Sequence, residues 1–196
     1  VPYALEARGW NFSFSNDFAW ILKEIKASDP STPIIIHFHQ LEPYYHSKAD
    51  DVDETRRNAS LLLKSLGDLK DAGAKLVWTQ HNPLPHDRTF SEIDREFLSH
   101  VSPLMDKIVV MGQCAYDYML KYVSKGKLRI IPHPSFGQYY GKAIPRFLAK
   151  QKLGVGNDVF LFGSPGEIKP YKGFETILEA IAKLKSKNLS QDFKLL

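Results

Sequence analysis

Four short apolar runs, each separated from the next by a stretch of helical periodicity, most constrain what this chain of 196 residues can fold into. Ile34, Ile35 and Ile36 lead into His37, Phe38 and His39, while Leu76, Val77 and Trp78 lead toward His81 and Asn82. Residues 108–111 and 128–131 supply two further runs. Runs of this length and character are read as strands buried on both faces. Between them, Phe18, Ile21, Leu22 and Ile25 predict a helix over 17–26 with Asp17 as its cap. Leu61, Leu62, Leu66 and Leu69 predict a second helix, stopped by Gly73. Helices over 91–101 and through Tyr116, Met119 and Leu120 complete an alternation that predicts a parallel sheet with helices on both faces. The polar stretch 42–53 is read as a loop. Ligands of doubly wound folds gather at the carboxyl ends of strands, which is where these histidines fall.

Pro132, Pro134 and Gly137 break the rhythm. The expected organisation is therefore a first Rossmann-like domain over 1–131, a linker over 132–157 and the beginning of a second Rossmann-like domain over 158–196. A strand, a helix and one further strand cannot bury both faces of a sheet, so the second domain is read as incomplete, and the first as starting just inside its usual boundary.

That second part begins with Phe160, Leu161 and Phe162, a short apolar strand, followed by the turn residues Gly163, Ser164, Pro165 and Gly166. After Gly173, residues Ile177, Leu178, Ile181 and Leu184 share one helical face. A loop entering a helix N-terminus presents unpaired N–H groups, and Lys169 and Lys172 add positive charge, so the segment suits a phosphate. A surface loop with solvated lysines is the alternative. Lys172 precedes its glycine and no Ser or Thr follows, which separates the loop from the Walker pattern. The glycines at 154 and 156 precede a strand and mark a turn.

Composition narrows the function classes. The chain is 43% hydrophobic and 24% charged, with a formal net charge of +4. That mild excess favours anionic ligands weakly and lacks the sharp basic stripe that nucleic acid would need. Cys114 is the sole cysteine, so no disulfide forms within the chain, and no run approaches the roughly 20 apolar residues of a membrane span. A cytoplasmic protein is expected.

His81 is the leading catalytic candidate, since the prolines at 83 and 85 stiffen the loop that would hold its imidazole. A loop histidine satisfied by backbone is the competing reading. His37 and His39, taken with His81, His86 and His133, raise the question of a metal. His37 and His39 are read as pointing to opposite faces unless the strand has ended, so no metal is expected. No glycosidase carboxylate pair or nucleophilic triad can be picked out.

GEIKPYKG, residues 166–173, resembles the donor-diphosphate loop of family 4 retaining glycosyltransferases, enzymes of GT-B fold that use nucleotide-diphosphate sugars. HNPLPH, residues 81–86, is similar to the segment whose histidine touches the donor sugar near the reacting carbon. IIPHPSFGQYY, residues 130–140, resembles the interdomain stretch. The resemblance implies two Rossmann-like domains with a cleft between them. It assigns the donor diphosphate to Lys172 and Gly173, with Gly166 and Lys169, catalysis to His81, and His133 to the hinge, where a histidine braced between two prolines is the competing reading; His37, His39, Asn82 and His133 are the candidate cleft residues. Many members carry arginine where Glu167 stands, and some place the basic residue at the position of Lys169. The implied activity is retaining transfer of a sugar to a polysaccharide, glycolipid or other sugar acceptor. The nucleotide sugar is a co-substrate, with no cofactor and no metal, and the location is cytoplasmic or at the inner face of a membrane. Two other readings stay open: a non-catalytic sugar-nucleotide-binding or partner subunit, and a sugar-nucleotide epimerase of the same fold. The first is favoured because no E-x7-E segment follows the loop.

Overall fold

The computed structural model describes residues 6–82, 84, 90–169, 172–187 and 192–196, and of Gln138 only the backbone. The helical reading of the first five residues, and His86, lie outside these. The chain divides into two compact units, Val1–His133 and Pro134–Leu196.

In the first unit, α1 (Phe18–Ala27) begins where the Asp17 carboxylate accepts hydrogen bonds from the N–H groups of Ala19 and Trp20, at 2.9 and 3.0 Å. Strand β1 (Ile35–Phe38) leads to α2 (Glu42–Tyr45), a single turn within the stretch expected to be loop. There follow α3 (Val52–Asp71), β2 (Lys75–Gln80), α4 (Ser91–Leu104), β3 (Lys107–Val110) and α5 (Gln113–Met119). A 3-10 turn (Lys125–Lys127) then enters β4 (Leu128–Ile130). The four strands are parallel, in the order β1-β2-β3-β4, with Ile36 beside Leu76, Trp78 beside Ile108 and Val110 beside Ile130. Helices flank this sheet, and the unit is an α/β, Rossmann-like domain.

Helix α3 has its buried residues at Thr55, Ala59, Leu62, Leu66 and Leu69, a spacing of three and four that lays one face on the core. Leu61, one residue's rotation from Leu62, falls off that stripe and is 63% exposed. The centre of the core is Leu66, Leu76, Val101, Met105, Ile108, Val110 and Met119, each fully enclosed.

Asp106 joins three elements at the edge of this core. Its Oδ2 accepts from the Leu76 N–H at 2.9 Å and from Lys70 Nζ at 3.2 Å, and Lys75 Nζ is 3.7 Å from Oδ1. Burial alone would raise this carboxyl, but those two hydrogen bonds and the lysine charges outweigh it and hold Asp106 below its ordinary value.

The second unit carries α6 (Gly137–Tyr140), α7 (Arg146–Lys152), β5 (Phe160–Phe162), α8 (Phe174–Ser186) and β6 (Phe193–Leu195). Strands β5 and β6 are parallel, with Phe160 beside Phe193. Ile177, Ile181 and Leu184 of α8 are half-buried, while Leu178 is exposed. Residues 132–157, expected as linker, contain α6 and α7. Lys150 of α7 is buried and donates to the carbonyls of Asn157 and Val159, which fastens the helix to the entry of β5.

Candidate functional site

Because β1 and β2 are parallel and end side by side, their following residues emerge at the same edge of the first unit's sheet. His37, within β1, places Nε2 2.7 Å from the Thr79 hydroxyl on β2. His39 was expected on the opposite face from His37. Instead the two rings stack at a centroid distance of 4.5 Å and 30° between planes, because side chains of an extended chain alternate with a period of two and residues two apart share a face.

The series continues across strands. His81, just after β2, lies 6.0 Å from the His39 ring, and His133, after β4, lies 5.7 Å from His81. Sequence positions 37, 39, 81 and 133 therefore meet in one place. Burial and the neighbouring His39 lower the imidazole of His37 below its ordinary value. Burial, His39 and His133 lower His81, against the opposing influence of Glu42. Both rings favour the neutral form. Among the described residues, no group of three or more His, Cys, Asp or Glu side chains is arranged to hold a metal ion.

A cavity of about 190 Å3 opens beside these rings, walled by His39, Gln40, Glu42, Pro43, Trp78, His81 and Asn82. Gln40, Glu42 and Trp78 were not singled out in the sequence. Glu42 sits at the first position of α2 with Pro43 next to it, and an acidic residue followed by proline is a helix-start signal that the polar stretch does contain. Trp78 reads from sequence only as a strand residue.

Behind the cavity, and sharing Glu42, Trp78 and Asn82 with it, is a recess of about 10 Å3 that Asp94 and Tyr45 also line, room for about one water molecule. Tyr45 donates its hydroxyl to Asp94 Oδ1 at 2.8 Å, and His46 Nε2 lies 2.7 Å from the same oxygen. Burial and the Asp94 charge push the Tyr45 phenol well above its ordinary value. Both bonds pin α2 to α4, and so hold one wall of the cavity.

The second unit holds the lysine loop. Gly166 has φ +105°, a backbone that favours glycine, and a Cβ placed on it would meet the tip of the exposed Lys172 side chain, Nζ, at 2.9 Å. Gly173, in the left-handed region at φ 67°, caps α8, and its carbonyl accepts from Ile177 N–H at 3.2 Å. Lys172 N–H donates to the Lys169 carbonyl at 3.0 Å, which curls the loop toward the helix. Lys169 Nζ is 3.2 Å from Glu167 Oε2, an exposed pair, whereas Lys172 has no ion pair among the described residues. The structure thus brings Gly166, Lys172 and Gly173 together at the start of α8 and gives Lys169 a different partner. No helix among the described residues is long and apolar enough to cross a membrane.

No family model matches this chain, and no curated protein matches it in sequence.

Proposed function

We propose that the chain belongs to a retaining glycosyltransferase of GT-B type, which moves a sugar from a nucleoside diphosphate to a glycan or lipid-linked acceptor. The observation that carries this reading is the placement of the Lys172 ammonium against Gly166, immediately before the N-terminus of α8. A helix N-terminus and an adjacent cation that makes no ion pair among the described residues favour a diphosphate, whose negative charge grows as the bond to the sugar breaks. Lys172 and Gly173, with Gly166, bind the diphosphate. Lys169 contributes less, because Glu167 engages it. In the first unit, His81 faces a cavity with Gln40, Glu42 and Asn82, groups able to exchange hydrogen bonds with sugar hydroxyls. His81, held neutral, accepts or donates such a bond without adding positive charge near a sugar that is itself becoming positive.

The reading is tested by titrating the full chain with nucleoside diphosphates and their sugar conjugates, then following release of the diphosphate with simple sugar acceptors. Binding that weakens about tenfold or more in Lys172→Ala, and less in Lys169→Ala, is the expected result. Absence of binding by every nucleoside diphosphate tried removes the reading.

A further inference from the structure

His37, His39, His81 and His133 form a continuous series, with successive centroids 4.5, 6.0 and 5.7 Å apart. Among the described residues, few groups are seen to act on it. Of these, Thr79 of β2 hydrogen-bonds His37, and Glu42 of α2 is the carboxylate that acts on His81. Gln40 and Asn82 contribute amides to the wall shared with His39 and His81. When such rings take up protons, like charges gather at close range, opposed among the described residues by Glu42 acting on His81. The cluster is then short of negative charge. The adjoining cavity, about 190 Å3, is below the roughly 300–1,000 Å3 of sites for drug-sized ligands, and it fits a small ion or a single ring.

We propose that this histidine cluster is a proton-coupled binding site for a small oxyanion, a phosphate or carboxylate group that enters the cavity beside His39 and His81 and turns repulsion among the rings into ion pairs. The site stands whether or not the chain transfers sugar. An anion that prefers protonated rings raises their proton affinity by the same factor by which protonation raises its own binding. Binding therefore tightens as pH falls through the range in which the histidines titrate. Glu42 competes with the anion for the same cations, so its removal favours binding.

The test uses the full chain and sulfate, which remains a dianion throughout the titration, with D-glucuronate and D-glucose in parallel. Histidine ring signals are followed by NMR and affinity by calorimetry. Sulfate affinity should rise about tenfold or more between about pH 7.5 and about pH 5.5, with ring shifts at His39 and His81. Glu42→Gln should tighten binding about threefold, and the double variant His39→Asn, His133→Asn should weaken it about tenfold. Tighter sulfate identifies a phosphate-like group as the ligand, and tighter glucuronate a carboxylate. Affinity that does not change with pH, unshifted rings in the unaltered chain, or glucose binding as well as glucuronate overturns the proposal. Because the rings are read in the unaltered chain, a variant that fails to fold leaves the test intact. Sulfate binding without any nucleoside diphosphate binding retires the transferase reading and leaves this site in place.

Discussion

The ammonium of Lys172 lies 2.9 Å from the point that a Cβ on Gly166 would occupy. The missing side chain at one position is thus the space used by the cation at another. Gly166→Ala should displace Lys172 and strain a backbone at φ +105°, weakening nucleoside diphosphate binding and lowering stability by about 1 kcal/mol. Calorimetric titration together with urea unfolding checks both. Unchanged binding in a folded Gly166→Ala chain would separate the lysine from the ligand.

Lys172→Ala itself is expected to reduce turnover roughly 100- to 1,000-fold, about 3 to 4 kcal/mol, the usual cost of removing one well-placed group that stabilises developing charge. Lys169→Ala should cost far less, since its Glu167 partner already neutralises it and exposed pairs of this kind contribute little. Steady-state rates for the two variants decide the assignment. The reverse order would hand the phosphate contact to Lys169.

His81→Ala should depress turnover strongly while shifting unfolding stability by no more than about 1 kcal/mol. The ring is only half-buried at the end of β2, and it takes no part in the enclosed core. A large loss of stability with activity per folded molecule intact would make it a structural residue.

Stability should respond to pH through two sets of groups with lowered values. His37 and His81 bind protons less well when folded than when unfolded, so their effect is a loss of stability as pH falls below about 6.5 toward their lowered values. The loss should shrink in His37→Asn. Asp106, whose carboxyl is also lowered, contributes stability that is present above about pH 4 and lost as pH falls through its folded value. Urea midpoints across the acid range measure both, and a midpoint that rises on acidification from neutrality contradicts the histidine assignment.

Lys150→Ala removes the donor to two carbonyls in the second unit. Buried carbonyls left without a partner cost about 1–3 kcal/mol, and the loss should be of that order by thermal or chemical unfolding. A neutral result would mean that water replaces the ammonium at no cost.

The alternation of apolar runs and helical periods determined the α/β class, because burial on both faces of a parallel strand and on one face of a helix each impose a period that the chain itself must carry. Asp17 as a cap and the strand–glycine–helix order of the lysine loop were legible for the same reason, since each depends on neighbours a few residues away. What the sequence left undecided depends on contacts between distant positions. The stacking of His39 on His37 is the exception, since a spacing of two already puts both rings on one face of an extended chain. The approach of His133 to His81 and the wall formed by Glu42 and Trp78 follow from strand order and crossover, which bring residues many tens of positions apart to one sheet edge. Asp94, an acidic residue in an amphipathic helix, reads as solvated until the fold places Tyr45 and His46 on its carboxylate. Local chemistry set the elements. Their lateral order, fixed only when the strands pair, decided which side chains share a cavity.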